Sequence, residues 1–225
     1  MEHPADRHLR RLTTPRAAAL AGVLFAVLFG TALVLIRLAL PDGAGLGAPW
    51  ADRSGSRLRV AVVLMPFAGI AFLWFIGVIR DGIGALEDRF FSTVFLGSGL
   101  LFLAMIFAST AVGAGLIATK HADGTRTEVA VFGQELLVAL SSTYALRMAA
   151  VFMMSLATIW LKTRLMPGWL VAVTYLVALA VLIASDVSRW LTMAFPIWVL
   201  LVSLLLVARR EVSPESGPAP APGTG

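Results

Sequence analysis

The stretch Ser141–Ser155, SSTYALRMAAVFMMS, holds one permanent charge, Arg147, inside an apolar run that extends from Leu136 to Leu161. On a helix, Thr143 and Tyr144 lie one turn before that arginine, and Val151, Met154 and Thr158 continue its stripe one, two and three turns after it. A guanidinium offers five fixed hydrogen-bond donors and cannot lose its proton, so hydroxyls above and below it make a site suited to anions or polar solutes. Arg147, Thr143, Tyr144 and Thr158 are therefore the candidate pathway or intramembrane polar site of a small channel or facilitator. The same arginine can act as scaffold. Its donors would then go to carbonyls freed at Pro66 or Pro196, to serines of a neighbouring helix, or to a carboxylate such as Glu135 or Asp186. The structural or assembly role is the preferred reading, and it includes an accessory subunit whose charge pairs with an acid in another protein's membrane helix.

Other chemistry is poorly supplied. The three histidines, His3, His8 and His121, all fall outside the apolar stretches, which excludes a haem held by paired histidines and speaks against a serine–histidine dyad. With no cysteine there is no thiol nucleophile and no iron–sulfur ligand. The apolar stretches carry no clearly buried Asp or Glu, so the usual carboxylate of a proton- or sodium-coupled carrier is missing. His121, Asp123, Glu128 and Glu135 are close in sequence but lack metal-ligand spacing and read as a solvated loop. No catalytic residue, metal site or cofactor is expected, and the chain is not expected to be an enzyme.

One loop carries a family-like fragment. Gly84-Ala85-Leu86-Glu87-Asp88-Arg89 resembles the start of the G-x-L-x-D-R signature of major facilitator transporters, with Gly84, Leu86, Asp88 and Arg89 matching. Phe90-Phe91-Ser92 then stand where that signature continues with a further glycine and a basic pair, and the chain is half the length of such a transporter. The fragment implies no fold, substrate or site residue for this chain. A plainer reading is a mixed-charge turn in which Asp88 or Ser92 caps the next helix.

The elements that must position Arg147 follow from composition. Hydrophobic residues make up 59% and charged residues 14%, against roughly 45–50% and about 25% in soluble domains, and the mean hydropathy is +0.87. The apolar residues are bunched into six stretches, 17–40, 58–79, 90–118, 136–161, 168–185 and 187–208. Each is long enough to cross a hydrocarbon core about 30 Å thick at about 1.5 Å per residue. In lipid, every backbone polar group must be satisfied within its own segment, so each stretch is predicted to be a helix. The expected fold is an all-α polytopic transmembrane bundle, 17–208, flanked by a basic cytoplasmic segment, 1–16, and a disordered Pro/Ala/Gly/Ser-rich cytoplasmic tail, 209–225. The first stretch follows a basic segment but is too long for a signal peptide, and reads as a retained anchor.

Continuous helix over 168–208 would measure about 60 Å, twice the core, so a hairpin is predicted at Ser185–Arg189, with Ser185 or Asp186 capping the sixth helix. Lys and Arg beside the spans divide ten against six. Arg7, Arg10, Arg11, Arg16, Arg80, Arg89, Lys162, Arg164, Arg209 and Arg210 lie on the side of the termini; Arg53, Arg57, Arg59, Lys120, Arg126 and Arg189 lie opposite. That places both termini in the cytoplasm of a plasma membrane, and the abundance of arginine over lysine together with the absence of asparagine points to a bacterial source. The net charge of +5 is accounted for by this topology, and no basic stripe suits nucleic acid. Arg37 is expected to reach the headgroups from the end of the first span, while Trp160, Trp169 and Trp190 mark the interfaces.

Packing is partly visible as well. Ala18, Gly22, Ala26 and Gly30 repeat every four residues and form a candidate helix-packing seam; Ser109/Gly113 and Ala111/Gly115 offer the same spacing in the third span. Such seams serve within one bundle or between copies, so beyond the lipid bilayer the partners to consider are a second copy or a partner membrane protein. Pro66 and Pro196 are expected to kink their helices.

Overall fold

The computed structural model describes residues 4–39, 51–83, 89–119, 127–164, 166–184 and 189–211. Every regular element among them is helical: α1 (Pro4–Ala39), α2 (Ala51–Ile83), α3 (Arg89–Thr119), α4 (Thr127–Val138), a π-helical segment (Ala139–Tyr144), α5 (Ala145–Thr163), α6 (Gly168–Ala184), a 3-10 turn (Arg189–Met193) and α7 (Ala194–Glu211). Five helical stretches are long and apolar enough to cross a membrane: 19–39, 56–81, 90–118, 131–163 and 191–208, with Gly168–Ile183 as a shorter apolar helix. The chain is an all-α polytopic membrane bundle.

Several boundaries differ from those expected. The basic N-terminal segment is helical from Pro4 and continuous with the first span. The fourth helix begins at Thr127 and its span at Val131, not at 136, since Thr-Glu-Val at the helix start, with Glu128 in the first turn, favours an N-terminus well before the apolar run. It continues through the π-helical segment into α5 without interruption. α6 and α7 are separate helices joined through the 3-10 turn, as the length argument requires. The capping role given to Ser185 or Asp186 lies outside the described residues, as does the tail from 212 onward.

Pro196 is the third residue of α7, where backbone N–H groups have no intrahelical partner, so it breaks no helical bond there. Pro66 differs. It sits inside α2, and the Val62 carbonyl one turn earlier loses its helical donor. Ser92 is the fourth residue of α3 and does not cap it, and Asp88 lies outside the described residues.

α1 packs on α2 and α7, α2 on α3, α3 on α4 and α5, and α5 on α6, with a lighter contact between α6 and α7. This order wraps the helices around one core, and phenylalanine fills its centre. Phe72 of α2 is fully buried among Phe25 of α1, Phe102 of α3, Phe152 of α5 and Phe195 of α7, at ring-centroid distances of 4.7, 5.3, 5.2 and 5.7 Å. Because lipid is as apolar as these side chains, the gain comes from close packing, to which each aromatic pair adds roughly 0.5–1.5 kcal/mol. Trp160 belongs to this core and not to an interfacial belt: it is buried, with its ring 6.2 Å from Trp198. Trp169 is exposed, as a belt residue should be.

Candidate functional site around Arg147

Arg147 sits at the start of α5, three residues after the π-helical segment. Hydroxyls bond the backbone just before that segment. Ser141 Oγ donates to the Leu137 carbonyl at 2.8 Å, and Ser109 Oγ of α3 donates to the same oxygen at 3.1 Å. A π turn bonds five residues apart instead of four, and the Leu137 carbonyl just before it accepts from both serines.

The predicted stripe is buried only in part. Thr143, Arg147 and Thr158 are half-buried along the edge of the span, whereas Tyr144 is 54% exposed and turns outward. Thr158 Oγ1 donates to the Met154 carbonyl at 2.8 Å and lies 2.6 Å from the Tyr175 hydroxyl of α6. Thr158 is eleven residues after Arg147, three helical turns, so the two project in nearly the same direction, and Thr158 marks it as the side of α6. Arg147 is not a free charge. Glu135 is exposed, and it precedes Arg147 by twelve residues of the same continuous span, about 18 Å along the axis, too far for an ion pair. Asp186 lies outside the described residues, as do His121, Asp123 and the loop Gly84–Asp88. Glu128 is exposed, and the described residues contain no group of three or more His, Cys, Asp or Glu able to hold a metal ion.

The second arginine is not where it was expected. Arg37 is half-buried and its guanidinium donates to Thr192 Oγ1 in the 3-10 turn, so it ties α1 to the entry of α7 in place of reaching for headgroups. Arg57 of α2 donates to the Leu38 carbonyl at 3.1 Å, closing the C-terminal end of α1.

The seam residues divide in the same way. Gly22 and Ala26 are buried, Gly22 against Ser203 of α7 and the Phe75 ring, but nothing lies within 4 Å of a β-carbon built on Gly30. Ala18 is helical. In α3, Ser109 and Gly113 face α4, whereas Ala111 and Gly115 are exposed. Sequence reasoning missed the adjacent pair Thr174 and Tyr175. Trp198 Nε1 donates to Thr174 Oγ1 at 3.0 Å, so these neighbours fasten α6 to α7 and to α5. Two polar residues side by side in GWLVAVTYLVALAVLIA were the available signal.

No family model, curated protein or solved structure matches this chain.

Proposed function

We propose that this chain is a non-conducting structural or accessory subunit of a membrane assembly, without enzymatic activity of its own. One observation carries the reading. Rings from α1, α2, α3, α5 and α7 meet around Phe72, which fills the bundle centre with packed apolar side chains. Polar side chains elsewhere in the bundle also serve helix pairing, Thr158 with Tyr175 and Arg37 with Thr192. The bilayer is proposed to be a bacterial plasma membrane with both termini cytoplasmic, on the distribution of Lys and Arg beside the spans. The partner is a second copy or another membrane protein whose helix presents an acid.

A second reading, a small facilitator for anionic or polar solutes past Arg147, is favoured by the π-helical segment just before it, since π segments concentrate at functional sites. Single cysteines at Thr143 and Val151 separate the two. The chain has no cysteine of its own, so a charged membrane-impermeant thiol reagent reports on these positions alone. The subunit reading expects neither to react in sealed cells. Reaction at both would bring water beside Arg147 and replace it with the facilitator.

A further inference from the structure

Arg147 stands level with the C-terminal end of α6. Only four residues, 164–167, separate α5 from α6, so the two helices run antiparallel, and the Thr158–Tyr175 hydroxyl pair at 2.6 Å fixes their register. From that pair, eleven residues of α5 lead back to Arg147, about 16 Å, and nine residues of α6 lead on to its last residue, Ala184, about 14 Å. The two ends differ by less than one turn. Long helical side chains also lean toward the N-terminus of their own helix, which for α5 is the end at which α6 stops. That lean carries the guanidinium past Ala184, into the space toward which the last carbonyls of α6 point.

These carbonyls need what the arginine offers. The last four carbonyls of a helix have no donor within it, and hydrocarbon holds no water to supply one. α6 has 17 residues, about 25 Å, against a core about 30 Å thick, and it starts at the interface marked by the exposed Trp169. Its C-terminal end therefore stops inside the hydrocarbon. The last turns of α1, α2 and α5 carry Arg37, Arg80 and Lys162, whereas that of α6 carries no basic residue. A cation at this end gains from the helix dipole as well as from the carbonyl lone pairs. The neighbouring entry of α7 is already held in a similar way, by Arg37 of α1 donating to Thr192.

We propose that Arg147 is the C-terminal cap of α6, supplied by the adjacent helix: its guanidinium donates to the terminal carbonyls and neutralises the negative end of α6 within the membrane. The cap stands beside the subunit reading and does not depend on it, because five donors allow a partner's acid to reach the same guanidinium.

Ile183, in the last turn of α6, is exposed, so a lysine placed there can offer the same helix end a second cation. Unfolding by SDS in mixed micelles reads the outcome, with folded yield standing in for any variant too weak to give a midpoint. Arg147→Leu is expected to lower the midpoint. Ile183→Lys is expected to recover at least half of that shift in the Arg147→Leu background, and to add nothing beside the natural arginine. The set is repeated with Asp186→Asn, which removes the carboxylate from the segment linking α6 to α7, and the recovery is expected to persist. No shift on Arg147→Leu, or no recovery by Ile183→Lys, would overturn the cap. So would a recovery that disappears with Asp186→Asn, since the cation would then be answering a carboxylate and not the helix end.

Discussion

The Ser203 hydroxyl of α7 occupies the space that a β-carbon on Gly22 of α1 would need, with the Phe75 ring of α2 closing in from the other side. Three helices converge at a position where only hydrogen fits.

Gly22→Ala should therefore lower stability although alanine is the better helix former by about 1 kcal/mol. Gly30, eight residues on, has open space, and Gly30→Ala should be neutral or stabilising by up to about 1 kcal/mol. Thermal unfolding in detergent orders the variants. Equal tolerance at both positions would mean that α1 and α7 do not pack as described.

This contrast marks what was legible in the sequence. A repeat of small residues announced that α1 makes a close approach, because only small residues permit one, but not which member of the repeat makes it, because that depends on where α7 crosses. The apolar stretches announced the helices, since lipid leaves the backbone no alternative. The aromatic centre was illegible: Phe25, Phe72, Phe102, Phe152 and Phe195 come from five helices and share no local pattern. So was the π-helical segment, beside which Ser109 of another helix bonds the Leu137 carbonyl. Arg147 stood out at once by cost alone, whereas the surroundings that give it a role are tertiary.

Phe72→Ala should remove the hub of the aromatic centre. A buried Phe→Ala change costs about 3–5 kcal/mol, enough to reduce the amount of folded protein sharply. Phe195→Ala should be similar in kind, and the double variant should lose less than the sum, because the rings share one another as partners. Additive losses would contradict a single cluster.

The two polar links of α6 should differ in strength. Thr174→Val leaves the buried Trp198 Nε1 without its acceptor, at a cost of about 1–3 kcal/mol. Thr158→Val leaves Tyr175 in a half-buried place, and hydrogen bonds between membrane helices average only about 0.6 kcal/mol. Unfolding by increasing SDS in mixed micelles should show Thr174→Val as the weaker protein; the reverse order would misplace the anchor of α6.

Arg147→Leu separates scaffold from partner contact. A subunit that docks through this charge should still fold and yet lose a stoichiometric partner on mild solubilisation, while Arg147→Lys retains part of it. Loss of the folded chain in both variants would confine Arg147 to support within the bundle.

Arg164 ends α5 in the left-handed conformation, with φ 52° and ψ 24°, where a β-carbon costs about 1–2 kcal/mol. Arg164→Gly removes that strain, but it also forfeits about 0.3–1 kcal/mol of attraction between the charge and the helix C-terminus. The freer unfolded chain offsets roughly another 0.5–1 kcal/mol. These terms nearly cancel, so Arg164→Gly should leave the unfolding midpoint almost unchanged. A β-branched side chain keeps the strain, worsens it by crowding at χ1 and still loses the charge, so Arg164→Val should lower the midpoint clearly. If valine is tolerated as well as glycine, the turn between α5 and α6 does not require a left-handed residue, and the short link that sets α6 against Thr158 is held by something other than this backbone.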